Sequence, residues 1–390
     1  MSGSPTRTVT TRVEVNPALL RWARERAGIE PDDLARRFPK LAAWENREAQ
    51  PTLKQIENFA RATHAPVGYL FLPEPPPVER IPIPDFRTAG NVRIERPSPD
   101  LLETIYMCQQ RQEWFADYAR SSRIDPLSFV GSATLDSNVV ETAKSIRSAL
   151  GFDLEERRQF ATWIEALRRF IEQADALGFL VMVTGVVGNN NYRKLSPQEF
   201  RGFALSDRIA PLVFVNGSDT KSAQMFTLAH ELAHIWLGQS ALSDVEPVAT
   251  PTHRVEDWCN RVAAELLVPL DAIRREYVAG EDLRAGLDRL ARRFKVSTLV
   301  ILRRIHDIGG ITQQLMWEAY RAELERLLAI PKSSGGDFYL TLPARVGKRF
   351  ARALVVSTLE GQTLHRDAFR LLGFSKLSTF RELAHSLGVA

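Results

Sequence analysis

The sequence predicts an α+β protein with more than one domain. Apolar side chains recur at helical spacing along most of the 390 residues, whereas three short apolar runs, the first of them β-branched, cluster between residues 179 and 215. A proline-rich stretch and a Ser-Ser-Gly-Gly break interrupt the chain. Because one hydrophobic core rarely organises this many residues, we expect an all-helical N-terminal domain, a central α+β domain with a small three-stranded sheet, and a small helical C-terminal module.

The first 72 residues show the pattern of four or five short helices. Gly28 and Pro31 separate the first two apolar patterns, and Pro51 precedes the last long one. The segment from Leu72 to Pro84 then contains six prolines, which disfavour helix and central strand. We therefore predict a helical domain at 1–72 and a proline-rich linker at 73–99.

The central block, 100–330, combines helices with the three strand patterns. The predicted strands are Phe179–Val187, Phe203–Leu205 and Pro211–Val215, and helical spacing returns after residue 220. The Ser-Ser-Gly-Gly break at 333–336 precedes a basic segment with two or three helix patterns. Residues 333–390 are therefore predicted to form a separate helical module. A cluster in it, Arg345, Lys348, Arg349 and Arg352, is interpreted as a solvated face.

Composition excludes several classes of protein. Hydrophobic residues make up 44% and charged residues 25% of the chain, as in ordinary globular proteins. The longest apolar run has nine residues where a membrane span needs about 20, and the N-terminus has no signal-peptide pattern. Two cysteines cannot form a disulfide framework. A net charge of +4 does not by itself indicate a nucleic-acid partner. We expect a cytoplasmic protein without a membrane partner.

The most informative motif is His230-Glu231-Leu232-Ala233-His234 within an apolar helical run. Positions i and i+4 share one helix face, so both imidazoles can reach one zinc ion while Glu231 can hold its water. A helix in the protein interior carries such polar groups only when they have a partner, and a metal would supply it. With this composition, a chance match has a probability of roughly one per cent.

A catalytic zinc site needs a third protein ligand. Glu256 lies on the next predicted helix, and Asn260 follows it by one turn, where it could hydrogen-bond a ligand histidine. Asp257 and Glu265 are rival ligands, but neither has such a polar companion. We therefore favour Glu256 as the third ligand.

These motifs resemble those of a known family. HELAHIWLG, followed by the ExxxN of Glu256 and Asn260 and by RVAAELLVP, is similar to the ImmA/IrrE family of bacterial zinc metallopeptidases. The preceding segment FRGFALSDRIAPLVFVNGSDTKSAQMFTLAHELAH is similar over its whole length. The N-terminal helices, from NPALLRWARERAG onward, resemble the helix-turn-helix of XRE-type regulators, a combination known in that family.

The resemblance implies a gluzincin-like domain with zinc on His230, His234 and Glu256 and with Glu231 as general base. It also implies a protein substrate such as a transcriptional repressor, in stress response or mobile-element regulation. The alternative is a DNA-binding regulator or antitoxin-like module with a structural or silent zinc site. Glu231 argues against this alternative, because a purely structural site has no need of a carboxylate there.

Two further features of the site are left open. His253, Arg254 and Tyr192 are candidate oxyanion donors, but their spacing does not bring them near the metal, so surface roles are favoured. The predicted strand Leu212–Val215 could present an unpaired edge to an extended peptide substrate, or it could be an ordinary buried strand.

The N-terminal pattern departs from a typical helix-turn-helix. The segment between Ala35 and Trp44 is about one turn short, and Pro39 interrupts it. Lys40, Asn46 and Arg47 remain as candidate DNA contacts. We expect weak DNA binding at most, and docking or dimerisation is the alternative role of these helices.

Overall fold

The computed structural model describes residues 11–77, 80–86, 97–243, 253–329 and 338–389. The chain divides into two compact units, one of residues 1–81 and 95–103 and the other of residues 82–94 and 104–390. The domain limits expected from the sequence stay predictions, although the break near residue 81 lies within the expected linker. No helix of the described segments is both long and apolar enough to cross a membrane.

The N-terminal unit contains short helices, as expected. Helices α1 to α4 span Pro17–Arg26, Pro31–Ala35, Leu41–Glu45 and Leu53–Ala62, and a 3₁₀ helix follows at Val67–Phe71. Side chains fix the helix starts: Asn16 Oδ1 accepts from the Ala18 N–H, and Thr52 and Gln55 form a capping box at α4. The core includes Phe38 packed edge-to-face on Phe59, at 5.5 Å between ring centroids.

The second unit combines helices with a four-stranded sheet. Helix α5 spans Pro99–Ser121 and begins in the part assigned to the first unit, and helices α6 to α8 span Val139–Leu150, Leu154–Gln159 and Trp163–Leu177. Strands β1 to β3 follow at Leu180–Thr184, Gly202–Leu205 and Leu212–Asn216, which confirms the three predicted strands. Helix α9 spans Lys221–Trp236 and β4 spans Ala241–Ser243. The remaining helices of this part, α10 to α14, span Arg254–Leu267, Leu270–Glu276, Leu283–Phe294, Thr298–Asp307 and Gln313–Ala329.

The order of strands in the sheet is β1-β3-β2-β4. Strand β3 pairs in parallel with β1 and antiparallel with β2, so both of its edges are occupied. Of the two alternatives for Leu212–Val215, the free substrate edge is therefore wrong and the ordinary buried strand is confirmed. The strand is apolar and fully buried because it lies in the middle of the sheet, which is the environment that selects such runs. The edge next to the metal-binding motif belongs instead to β4, which the sequence analysis did not predict.

The C-terminal helices pack against the opposite end of the sheet. Helices α15 to α18 span Phe338–Val346, Lys348–Leu359, His365–Leu372 and Leu377–Ser386. At the α15–α16 junction Gly347 has φ +82°, and a Cβ there would stand 3.0 Å from the Val181 carbonyl oxygen of β1. The Arg111 Nε and Asn189 Nδ2 groups donate to the Leu371 and Leu372 carbonyls. These hydrogen bonds link α17 to α5 and to the segment after β1, while α15 and α16 pack on β1 itself.

The basic cluster of this module is only partly a solvated face. The Arg349 guanidinium lies over the Phe115 ring at 5.5 Å, and burial lowers its pKa. The Arg352 Nη1 group donates to the Leu387 carbonyl, and the Arg345 Nη2 group donates to Asn191 Oδ1. Helical spacing could not reveal these contacts, because each partner is distant in sequence. Three of the four side chains therefore have partners within the fold, although Lys348 and Arg352 are exposed.

Candidate functional site

The candidate site is built on α9, the helix that carries the motif. Thr220 caps its start by accepting a hydrogen bond from the Ala223 N–H, and every residue from Gln224 to Trp236 is buried. The Gln224 amide donates to the Gly217 and Asp219 carbonyls and so fixes the turn between β3 and α9. The motif is thereby held in the interior of the second unit.

The two histidines and Glu256 converge on one point. His230 Nε2 lies 3.0 Å from His234 Nε2, and these atoms lie 3.2 and 3.1 Å from the two carboxylate oxygens of Glu256. All three side chains are buried, and together they form a group that could hold a metal ion. Zinc bonds of about 2.0–2.2 Å place tetrahedral ligand atoms about 3.3 Å apart, so the arrangement fits such an ion.

Glu256 reaches the histidines from the first turn of α10, which packs on α9. The rival ligands lie elsewhere: Asp257 is half-exposed 3.8 Å from Arg261, and Glu265 pairs with the buried Arg304. Burial raises the pKa of Glu256, but the charges and hydrogen bonds of the two imidazoles outweigh it, so this pKa lies well below its usual value. This direction favours the ionised carboxylate, which is the form in which glutamate binds a metal.

Three arginines hold the far end of α10. Arg304 Nε donates to the Val268 carbonyl at 2.8 Å and also pairs with the Glu265 carboxylate. Arg147 and Arg157 donate to the carbonyls of Glu265 and Leu267. Carbonyls at a helix C-terminus have no partner within the helix, and cations compensate both their missing hydrogen bonds and the helix dipole. These contacts fix the helix that carries Glu256.

Glu231 is fully buried, and neither of its carboxylate oxygens has a hydrogen-bond partner among the described residues. Burial raises its pKa well above the usual value, the charge of Glu256 raises it further, and the nearby Ser243 hydroxyl lowers it. A Cβ on Gly202 would stand 3.1 Å from Glu231 Oε1, so this glycine leaves room for the carboxylate. A buried carboxyl group without partners is suited to receive and return a proton.

Two residues of the site escaped the sequence analysis. Ser243 on β4 is buried with its hydroxyl 3.4 Å from His234 Nε2. The Phe86 ring lies parallel to the His234 ring, with centroids 6.3 Å apart. Strand β4 has only three residues, too few for a periodic signal. The only available signal for Phe86 was an aromatic residue following the prolines.

The structure separates the other predicted residues. Tyr192, His253 and Arg254 are all exposed. His253 occupies the N-cap position of α10 without a side-chain hydrogen bond, and its ring centroid lies 5.2 Å from that of Phe86. Asn260 Oδ1 and the Nδ1 atoms of both motif histidines are buried without a partner in the described segments. The predicted hydrogen bond from a ligand histidine to Asn260 is therefore not formed, and the role of Asn260 stays a prediction.

Lys40, Asn46 and Arg47 are exposed beside the short helix α3. Arg47 has φ +64°, and Asn46 Nδ2 lies 3.4 Å from Glu48 Oε1. The five-residue helix agrees with the expectation of a shortened third helix. Exposure alone does not indicate a ligand, so their contact with DNA stays a prediction.

Comparison with protein-family models identifies two parts of the chain. Residues 174–306 match the model of the IrrE N-terminal-like domain, a peptidase family, and this range contains the whole metal-binding group. Residues 346–386 match a domain of unknown function, DUF8813. No curated protein matches the chain. Both matches lie outside the N-terminal helices, so their similarity to XRE-type regulators stays a prediction. The first match supports a metallopeptidase-type function.

Proposed function

We propose that this protein is a zinc-dependent metallo-endopeptidase that cleaves a protein substrate such as a transcriptional repressor. The supporting observation is the buried group of His230, His234 and Glu256 beside a buried Glu231 whose carboxylate oxygens have no hydrogen-bond partner within the described segments. A structural site would not need the second carboxylate, whereas peptide hydrolysis does. Regulation of stress response or of mobile elements is the context that we propose for this cleavage, in the cytoplasm.

Each residue has a distinct role in this proposal. His230, His234 and Glu256 would hold zinc, which supplies polarisation of the scissile carbonyl and a lowered pKa for water. Glu231 accepts a proton from the attacking water and delivers it to the leaving amine. Ser243 lies where its hydroxyl can orient the carboxylate of Glu231 or the ring of His234.

The proposal is tested by incubating the zinc-loaded full chain with candidate repressors and analysing the products by mass spectrometry. We expect one defined cut with the native chain and none with Glu231→Gln at equal zinc content. Glu113→Gln, on an exposed face of α5, is the matched control and should cleave normally. Equal cleavage by the Glu231→Gln variant would overturn the assignment of the base.

For the N-terminal helices we propose weak, phosphate-driven contact with DNA through Lys40, Asn46 and Arg47. Their exposure leaves them accessible, and the shortness of α3 limits base reading. Docking to a protein partner or dimerisation is the alternative outcome, and it predicts no DNA binding above background.

A further inference from the structure

The linker contacts the edge of the sheet beside the metal-binding group. The Leu242 N–H of β4 donates to the Pro84 carbonyl at 2.9 Å, and the Phe86 N–H donates to the Leu242 carbonyl at 3.0 Å. Asp85 thereby forms a parallel bridge with Leu242. On its other side, β4 pairs with β2. Residues Pro84–Phe86, which we call the strap, therefore occupy the outer edge of this strand.

The position of β4 makes this edge a peptide-binding surface. Its next residue, Ser243, contacts His234, so a chain bound along the edge passes directly beside the metal-binding group. An extended peptide binds to such an edge through main-chain hydrogen bonds, while side-chain pockets provide selectivity. The strap already makes the two main-chain hydrogen bonds that Leu242 can offer on this side.

The Phe86 side chain occupies the space that a substrate side chain would use. Its ring stacks on His234 at an interplanar angle of 8° and lies 5.2 Å from the His253 ring. His234 is one of the three metal-binding side chains, so the ring covers this side of the site. The rings of His234 and His253 both contact this side chain, and such planar surfaces suit a flat, apolar group.

We propose that the strap is a built-in competitor that occupies the peptide-binding edge of β4 and must leave before a substrate with an aromatic side chain can bind. This inference rests on the proposed peptidase function and specifies its substrate class and its regulation. The strap is covalently attached, so its effective concentration at the edge is in the millimolar range and it excludes peptides of modest affinity. Weakening the strap should therefore open the site.

The direct test measures peptide binding to the full chain, without reference to catalysis. The probe is the fluorescein-labelled hexapeptide Ile-Pro-Ile-Pro-Asp-Phe, which copies residues 81–86. Loss of a half-buried phenylalanine contact should weaken the strap, so Phe86→Ala is expected to bind the probe about 5- to 30-fold more tightly than the native chain. Phe86→Tyr should retain native behaviour, and so should the control Phe71→Ala, at an exposed phenylalanine outside the strap. Equal affinity of the native and Phe86→Ala chains would overturn the proposal.

Hydrogen exchange and cleavage supply two further readouts. The Leu242 amide should exchange about 5- to 30-fold faster in Phe86→Ala, because its acceptor is on the strap. Cleavage of a substrate that the native chain cuts should rise by a similar factor at equal zinc content. Tighter probe binding with no cleavage by any variant would refute the proposed peptidase function but would still support the strap as a competitor for the edge of β4. Unchanged cleavage by Phe86→Ala, or a cut of the chain next to Phe86, would overturn the strap as a competitor.

Discussion

The sequence predicts functional residues both on the N-terminal helices and on the α9–α10 pair. The first set is exposed to solvent, whereas the second set is buried. Lys40, Asn46 and Arg47 project into solvent, where a charged or polar side chain needs no ligand to be stable. Glu231 and Glu256 are buried, and burial of a carboxylate is unfavourable unless a partner compensates it. Polar residues therefore indicate function more strongly in the second region than in the first.

The largest effect is expected when the buried carboxylate of Glu231 is replaced by an amide. Glu231→Gln keeps the size of the side chain but removes the proton acceptor, so we expect cleavage to fall by about 10²- to 10⁴-fold while zinc is retained. Steady-state cleavage rates and metal analysis of the same preparation measure both quantities. If cleavage persists at the native rate, burial of Glu231 has a structural rather than a chemical explanation.

The ion pair behind α10 should have a large effect on stability. Arg304→Met leaves Glu265 buried without its charge partner, and we expect the free energy of unfolding to fall by about 3–5 kcal/mol. The neighbouring Arg303→Met is the matched control. It removes a more exposed pair with Asp307 and should cost less than about 1 kcal/mol. Urea unfolding of both variants measures these changes, and an equal loss of unfolding free energy in the two variants would contradict the prediction.

A smaller effect is expected at Asn260. Removal of a polar residue that orients a ligand histidine weakens metal binding by about 10- to 100-fold, and this is our prediction for Asn260→Ala. Competition with a chelator of known zinc affinity measures the change, and Asp257→Asn on the same helix is the control. An unchanged zinc affinity would show that the unpartnered Asn260 Oδ1 does not serve the metal site.

The pH dependence of stability tests a different buried carboxyl group. Burial raises the pKa of Asp175 from 3.8 to about 7, although Arg349 and Lys348 act in the opposite direction. The folded state binds this proton more tightly than the unfolded chain does. Ionisation of Asp175 therefore costs no stability below about pH 4, and the loss of stability grows until about pH 7. The free energy of unfolding should fall by about 1–2 kcal/mol over this range, after allowance for solvent screening of a half-buried side chain.

Asp175→Asn should reduce the fall in the free energy of unfolding by about this amount, and Asp125→Asn, at an exposed position, should leave it unchanged. Urea unfolding at pH 4.5 and pH 7.5 compares the three chains. A pH slope that persists unchanged in Asp175→Asn would assign the effect to another group.

The weakest expected effect belongs to the N-terminal helices. Residues 1–75 carry 11 Lys and Arg against nine Asp and Glu, so few DNA phosphates can be neutralised. The slope of log affinity against log salt should correspond to roughly two to four released counterions, with little discrimination between sequences. Fluorescence anisotropy of labelled duplexes with the full chain measures both. A nanomolar, sequence-selective complex at physiological salt would contradict this prediction. It would show that exposed polar residues can indicate function as strongly as the buried ones do.

The predictable parts of the molecule depend on local spacing. His230 and His234 share a face because α9 is a helix, and the three predicted strands are short, apolar and mostly buried runs, of which β1 and β3 are also β-branched. Strand order is not local, so the sequence could not reveal that Leu212–Val215 lies inside the sheet. The same limit applies to β4 and to its pairing with Phe86, since three residues carry no periodic pattern.

The basic cluster of the C-terminal module also shows that local spacing does not reveal tertiary contacts. Helical spacing placed Arg349 and Arg352 on one face, and a charged face is usually solvated. The partners of Arg349 are the ring of Phe115 and the carboxyl group of Asp175, which come from α5 and α8. Only the tertiary packing brings these groups together, so no pattern within the segment could identify them.

Metal content tests the central claim most directly. Because His230, His234 and Glu256 form one compact ligand group, the purified full chain should bind about one equivalent of zinc. Inductively coupled plasma mass spectrometry should find most of that zinc missing after substitution of both histidines by alanine, while Asp257→Asn retains it. Full zinc occupancy in the double histidine variant would contradict the assignment of the site and, with it, the proposed chemistry.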